Sequence, residues 1–149
     1  MFRKLSDKVY ASPQIGTAAL ADAMALGITL IVNNRPEDES PDQTPGPEIE
    51  AAARAAGMDY VAIPVTHAGF SESQVKAMAK ALAEAEGSVL AYCRSGTRST
   101  LLWSLAEASR GVSPDTLTAQ AAQAGYDVGP VRPLMDMLAA QPRPDKQPR

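Results

Sequence analysis

Short apolar runs alternate with stretches of helical periodicity along this chain. Residues 28–32 and 88–92 are rich in apolar side chains, as is typical of strands buried on both faces of a parallel sheet. Residues 9–11 form a shorter run, and residues 59–65 follow a glycine as a further candidate strand. The pattern therefore predicts four strands.

Helical segments occupy the intervals between and after these strands. Ser71 and Gln74 have the spacing of a capping box, and Gly87 is expected to end the helix that they open. The predicted helices cover residues 17–26, 48–56, 71–86 and 99–110, with two more that begin at 113 and 130. This alternation predicts a three-layer α/β fold, with a mainly parallel sheet of four to five strands flanked by helices.

Length and composition fit one folded domain. The 149 residues are 45% hydrophobic and 21% charged, which is ordinary for a globular chain. We expect a single catalytic domain over residues 1–140, an irregular loop over residues 35–47, and a disordered tail over residues 141–149. The apolar side chains after the cysteine loop are expected in the core; they are Leu101, Leu102, Trp103 and Leu105.

Polar clusters follow three of the predicted strands, at residues 33–35, 66–67 and 93–98. Ligands of parallel sheets bind beyond the carboxyl ends of the strands, where these clusters would meet. Together they hold the single cysteine, the single histidine and three arginines of the region: Cys93, His67, Arg35, Arg94 and Arg98. We expect the active site at this edge.

The loop from Cys93 to Arg98 joins the last predicted strand directly to a helix. Amides at a helix N-terminus lack partners within the helix and can surround an anion, and Gly96 permits the tight turn that this requires. The helix dipole and the nearby arginines favour a thiolate, so Cys93 is predicted to be the nucleophile. A lone cysteine can also be a small buried hydrophobic residue, but this charged surrounding argues against it.

The other site residues are assigned around that nucleophile. Arg98 is predicted to clamp an anion in a bidentate way. His67 is predicted to act as a proton donor, and the alternative of equal weight is that its imidazole is only solvated in the loop. Arg94 is expected to point outward. The predicted substrate-binding residues are Arg94, Ser95, Gly96, Thr97, Ser99 and Arg35.

Arg35 has a second interpretation, which is an ion pair on the surface with an acidic neighbour. Its candidate partners are Glu37, Asp38 and Glu39. The acidic run over residues 37–42 is expected to form a solvated lid or edge.

The sequence Cys93-Arg94-Ser95-Gly96-Thr97-Arg98-Ser99 resembles the active-site loop of rhodanese sulfurtransferases. The order of elements around it is similar to that of dual-specificity phosphatases. Residues 5–127 resemble more closely the phosphatase-like domain of beta-lactamase-hydrolase-like proteins, a family described both as phosphatase-like and as sulfurtransferase. Some of its members are fused to persulfide dioxygenase domains, which implies such a protein as a partner.

Two departures from the phosphatase pattern favour sulfur transfer. Tyr92 precedes Cys93 where these phosphatases carry a histidine, and the four residues between Cys93 and Arg98 are one fewer than theirs. The position of their general-acid aspartate is His67 here. The leading hypothesis is therefore a sulfurtransferase that forms a persulfide on Cys93 and uses a small anionic or sulfane-sulfur donor and a thiol acceptor, a protein thiol included. The alternative is a cysteine-dependent phosphatase with a phosphocysteine intermediate, and a third is a non-catalytic anion-binding module.

Charge and motif content exclude several function classes. A net charge of −3 argues against nucleic-acid binding. No stretch approaches the roughly 18 consecutive apolar residues of a spanning helix, and the first residues lack the apolar segment of a signal peptide, so we expect a cytoplasmic protein without a membrane partner. One cysteine and one histidine argue against a zinc site, and no organic cofactor is expected.

Overall fold

The computed structural model of the chain describes residues 2–141. Its sheet has five strands, which are β1 (Arg3–Lys4), β2 (Val9–Ser12), β3 (Ile28–Asn33), β4 (Asp59–Ala62) and β5 (Ser88–Tyr92). Their order is β1-β2-β5-β3-β4, with β1 antiparallel to β2 and the other neighbouring pairs parallel. The predicted α/β fold with a mainly parallel sheet is confirmed. The apolar pattern did not reveal β1, because it consists of two exposed residues.

Among the described residues, six helices cover the two faces of this sheet. They are α1 (Ala19–Ala25), α2 (Gly46–Ala55), α3 (Glu72–Glu84), α4 (Thr97–Ser109), α5 (Pro114–Gln123) and α6 (Arg132–Ala140), the last preceded by a 3-10 turn at Gly129–Val131. Helices α1 and α2 contribute to one hydrophobic cluster and α3 to α6 to the other. The three predicted layers are therefore present.

Strand β3 shows why the central strands are continuous apolar runs in the sequence. Leu30 and Val32 belong to one hydrophobic cluster, whereas Ile31 between them belongs to the other. Strand β5 alternates in the same way, with Val89 on the first face and Leu90 on the second. Both faces of each strand are covered, as expected for a parallel sheet between helix layers.

Helix α4 lies at the centre of the layer that follows the cysteine loop. Leu102, Trp103 and Leu105 are fully buried and Leu101 is half-buried, as predicted. The helix contacts α3, α5 and α6, so apolar packing surrounds most of its length. This packing fixes the helix whose N-terminus carries the candidate site.

The predicted capping box at the start of α3 is confirmed. The Ser71 side chain accepts a hydrogen bond from the Gln74 amide at 3.2 Å, and the Ser71 amide donates to Gln74 Oε1 at 2.7 Å. The expected role of Gly87 was wrong, since α3 ends at Glu84 and Ala85 already has extended backbone. Gly87 instead packs closely against the Gly27 backbone, because the Cβ of any other residue would lie 2.8 Å from the Gly27 carbonyl oxygen.

Strand β4 is shorter than the predicted 59–65 run. Pro64 has no N–H and cannot continue the ladder. Ile63 and Val65 on either side still donate their amide hydrogens to carbonyl groups at the end of β3 and just beyond it, both at 2.9 Å. The chain therefore stays beside β3 and delivers its loop to the edge of the sheet where the site lies.

The last predicted helix starts two residues after Pro130, once the 3-10 turn is complete. The predicted disordered tail falls, from residue 142 onward, outside the described residues. Among the helices of residues 2–141, none is long and apolar enough to cross a bilayer.

Candidate active site

Cys93 stands at the carboxyl end of the central strand β5, and α4 begins four residues later. Gly96 is the N-cap of that helix and has a left-handed backbone with φ of 93°. This conformation turns the Gly96 amide toward the cysteine, where it donates to Cys93 Sγ at 3.1 Å. The turn from Cys93 to Arg98, here called the cradle, thus places one helix-terminal amide on a fully buried sulfur, and the wider ring of amides stays a prediction.

The hydroxyl groups of the loop make local contacts. Ser95 Oγ donates to Thr97 Oγ1 at 3.0 Å, and both side chains are exposed at the rim. Thr100 Oγ1 donates to the Gly96 carbonyl at 2.9 Å inside the first turn of α4. These bonds fix the shape of the loop.

Ser99 is buried and its hydroxyl points away from the cradle. It donates to Asn34 Oδ1 at 2.8 Å, while Asn34 Nδ2 donates to the Ile63 carbonyl at 2.9 Å. The Asn34 amide also donates to the Tyr92 carbonyl at 2.8 Å. Asn34 therefore joins the ends of β3, β4 and β5 to the start of α4, which is a structural role for its side chain and for the Ser99 hydroxyl.

Arg98 reaches the cradle from the first turn of α4. Its Nη1 donates to the Val65 carbonyl at 2.8 Å and to Glu39 Oε2 at 2.6 Å, while Nη2 donates to Glu39 Oε1 at 2.8 Å. The hydrogen bond to Glu39 raises the pKa of Arg98, and the nearby Cys93 raises it further. The guanidinium is therefore a permanent cation near the sulfur, and its role as an anion clamp stays a prediction.

Glu39 was not among the predicted site residues. The hydrogen bonds from Arg98, joined by those from Arg35 and opposed by burial, lower its pKa from 4.5 to about 2. The carboxylate is ionised at neutral pH and cannot serve as a general acid there. Glu39 lies on the exposed edge predicted for residues 37–42, but its side chain turns toward the two arginines and is only 23% exposed.

Arg35 is buried within the same group of charges. Its Nε donates to Glu39 Oε1 at 2.9 Å, Nη1 to Gln14 Oε1 at 3.0 Å, and Nη2 to Ser40 Oγ at 3.0 Å. The expected ion pair with Glu39 is present, but it is not a surface pair, because the Arg35 side chain is only 4% exposed.

Arg94 and His67 lie at the periphery. Arg94 is exposed. A hydrogen bond from Ser40 lowers the pKa of Asp42, and the charge of Arg94 lowers it further. His67 is exposed in the loop after β4, two residues beyond the Val65 carbonyl that binds Arg98. Its imidazole makes no hydrogen bond within residues 2–141, so the structure places it at the rim without assigning it a contact.

Tyr126 is a second residue that sequence reasoning missed. It follows α5, and its hydroxyl donates to the Ser95 carbonyl at 3.1 Å. The Arg3 guanidinium lies 5.3 Å from the centre of its ring. Burial raises the pKa of Tyr126, and its hydrogen bond to the Ser95 carbonyl places the phenol beside the cysteine loop.

The described residues offer no metal centre. Between Phe2 and Gln141, no three His, Cys, Asp or Glu side chains come together as ligands. The site that the structure assembles is a thiol, the Gly96 amide and a guanidinium, which together suit an anion bound next to a nucleophile.

Comparison with known families agrees with this geometry. The family described as Beta-lactamase hydrolase-like protein, phosphatase-like domain, matches residues 1–110. The chain belongs to this family. The resemblance predicted from the sequence is confirmed, and the chain is a phosphatase-like domain.

One curated relative shows how this phosphatase-like domain compares with longer proteins. A Beta-lactamase hydrolase-like protein of Xylella fastidiosa is 33% identical over 138 residues, which make up 92% of this chain and 32% of that protein. The chain spans between 25% and 32% of the length of the curated relatives it matches. Only one part of those proteins is therefore represented here.

Solved structures support the fold. A candidate phosphatase of Neisseria meningitidis is 33% identical, with a TM-score of 0.79 and coverage of 91% of this chain and 96% of that one. Tk-PTP in its active form has a TM-score of 0.72 and coverage of 95% and 97%, at 17% identity, which is evidence for the fold alone. The phosphatase-like domain thus has the predicted dual-specificity-phosphatase-like fold.

Proposed function

We propose that the phosphatase-like domain hydrolyses phosphate monoesters through a phosphocysteine at Cys93. The observation that carries the proposal is the cradle, in which the Gly96 amide donates to Sγ and the Arg98 cation lies beside the same sulfur. Such groups stabilise the charge of a phosphoryl group during transfer. The family's description as phosphatase-like and the fold of its neighbours support this function over sulfur transfer.

The chemistry has two displacement steps. The Cys93 thiolate attacks phosphorus and forms an S–P bond, while the P–O bond breaks and the leaving oxygen takes the electron pair and a proton from a general acid. Water then attacks phosphorus, its proton passes to the same group, and the S–P electron pair returns to Sγ. Arg98 and the loop amides hold the non-bridging oxygens in both steps.

Sulfur transfer is the second candidate, and the length of the loop favours it. Four residues separate Cys93 from Arg98, so the ring of amides is small, and its Gly96 amide lies 3.1 Å from Sγ. In this reaction the thiolate attacks the outer sulfur of thiosulfate, the S–S bond breaks, and sulfite leaves with the electron pair. The persulfide then gives its outer sulfur to a thiol acceptor.

Two assays on the intact chain separate these functions. We expect steady hydrolysis of p-nitrophenyl phosphate, and no stable gain of one sulfur atom in the intact mass after incubation with thiosulfate. Prior alkylation is the control, because Cys93 is the single cysteine of the chain. A persulfide without phosphate hydrolysis would put sulfur transfer first, and inactivity in both assays would indicate an anion-binding module.

We further propose His67 as the general acid, because its loop contacts Arg98 through Val65 and the imidazole is exposed at the rim. Replacing His67 with asparagine should lower turnover of an alkyl phosphate by about 100-fold, the usual size of a general-acid effect. Hydrolysis of p-nitrophenyl phosphate should change little, because nitrophenolate leaves without protonation. Equal losses on both substrates, or no loss on either, would remove His67 from the mechanism.

A further inference from the structure

The Glu39 carboxylate lies between two guanidinium groups that come from different parts of the chain. Its Oε2 accepts from Arg98 Nη1 at 2.6 Å, and its Oε1 accepts from both Arg98 Nη2 at 2.8 Å and Arg35 Nε at 2.9 Å. Arg98 stands 59 residues later than Glu39. This long-range contact joins the loop after β3 to the loop that carries the nucleophile.

The loop after β3 is built to hold that carboxylate. Asp38 adopts a left-handed backbone with φ of 61°, which is uncommon outside glycine. The Glu39 amide donates to Gln43 Oε1 at 3.0 Å, and Gln43 Nε2 donates to the Pro36 carbonyl at 2.9 Å. The Gly46 amide, at the start of α2, donates to Glu37 Oε1 at 2.8 Å. With so many internal bonds, the loop is a support and not an open lid.

The orientation of Arg98 follows from its partners. Nη1 is occupied by the Val65 carbonyl and by Glu39, and Nη2 gives one hydrogen to Glu39. These bonds fix both the plane and the rotation of the guanidinium. Its other two-pronged edge, formed by Nε and the second Nη2 hydrogen, has the donor geometry that binds a carboxylate or phosphate in a bidentate way. Cys93 lies near this group.

We infer that Glu39 is a positioning residue, which orients the Arg98 guanidinium so that its Nε edge meets an anionic group bound above Cys93. The inference rests on the proposed function only in requiring an anionic substrate. Glu39 itself touches no reacting atom and acts through Arg98.

Arg35 holds Glu39 in place in turn. It donates to Glu39 Oε1, while Gln14 and Ser40 fix its remaining nitrogens, and its side chain is almost fully buried. A buried guanidinium needs a compensating charge, and Glu39 supplies it. Arg35 therefore supports Arg98 through the shared carboxylate and has no need to reach the substrate.

The test uses alkylation of Cys93, which does not depend on turnover. Iodoacetate carries a carboxylate that a correctly oriented Arg98 can bind, whereas iodoacetamide is neutral, so their rate ratio measures the strength of the anion site. Replacing Glu39 with glutamine should lower this ratio by about tenfold relative to wild type, because misplacing a binding group by about 1 Å can cost up to 100-fold. Simple electrostatics predicts the opposite sign, since removing a negative charge should attract iodoacetate.

Asp38→Asn is the matched control. It removes the same charge from the neighbouring position of the same loop, and asparagine tolerates the left-handed backbone. This variant should keep the wild-type ratio or raise it slightly. If Glu39→Gln unfolds because Arg35 loses its partner, Glu39→Asp keeps the charge, shortens the reach to Arg98, and should lower the ratio as well.

A double-mutant cycle shows whether Glu39 acts through Arg98. In the Arg98→Lys background, adding Glu39→Gln should change the ratio by less than about twofold, since the guanidinium to be oriented is already gone. Equal effects in both backgrounds, or a higher ratio or higher turnover in Glu39→Gln alone, would overturn the inference. A wild type with no preference for iodoacetate would instead remove the anion site on which the proposed function rests, and the role of Glu39 with it.

Discussion

Replacing Cys93 with serine is expected to abolish phosphate hydrolysis and any sulfur transfer while the fold is retained. A serine hydroxyl at this site remains protonated and is a far poorer nucleophile than a thiolate. The loss should exceed about 10⁴-fold, as it does for other enzymes deprived of a covalent nucleophile. Stability should change little, because the smaller hydroxyl can still accept the hydrogen bond that the Gly96 amide donates to Sγ.

The Cys93→Ser variant also separates binding from chemistry. Inorganic phosphate should still bind, since Arg98 and the amides of the loop remain in place, and titration calorimetry can measure that affinity. Thermal unfolding should be within a few degrees of wild type. Turnover close to the wild-type rate in this variant would show that Cys93 is not the nucleophile. Cys93 would then be a buried packing residue, which agrees with its full burial.

Much of the fold could be predicted because the sheet is buried on both sides. Strands β3 and β5 must be apolar throughout to lie between two helix layers, and that makes them visible as runs of residues 28–32 and 88–92. The Ser71 capping box could be predicted because it is a local pair of hydrogen bonds. Strand β1 could not, since its pairing with β2 is a tertiary contact that leaves no apolar pattern.

The core of the site could be predicted for a similar reason. Cys93, Gly96 and Arg98 lie within one strand-to-helix turn, and the chemistry of a helix N-terminus follows from the sequence itself. The clustering of strand ends at one edge then added His67 and Arg35. Local rules thus indicated the candidate nucleophile and the arginine beside it together.

Glu39 and Tyr126 could not be predicted in this way, because each reaches the site across the fold. Glu39 sits in an acidic run that resembles a solvated loop, although two arginines expected at one edge of the sheet are a signal for a carboxylate partner. Tyr126 follows α5 and meets the loop only through its hydroxyl. Neither contact has a sequence spacing that marks it.

The contact with Tyr126 makes Gly96→Ala the second large effect. Alanine at φ of 93° costs about 1–3 kcal/mol by itself. Its Cβ would also overlap the Tyr126 hydroxyl oxygen and lie 3.3 Å from the Ser12 carbonyl carbon. Either the Tyr126 ring or the loop must then shift, and a shift of the loop carries the Gly96 amide away from Sγ. We expect turnover to fall by about 100-fold, which is the cost of displacing a site group by about 1 Å.

Gly57→Ala separates backbone strain from this displacement. Gly57 has φ of 82°, but no atom lies within 4 Å of the position that a methyl group would take. Alanine there therefore causes backbone strain without a steric overlap. Both variants should lose stability in urea unfolding, while only Gly96→Ala should lose turnover. Adding Tyr126→Ala to Gly96→Ala should recover part of the rate, because it removes the overlapping ring. If Gly96→Ala kept the wild-type rate, or lost no more than Gly57→Ala, the cradle would not depend on this glycine, and the amide contact to Sγ would not be part of catalysis.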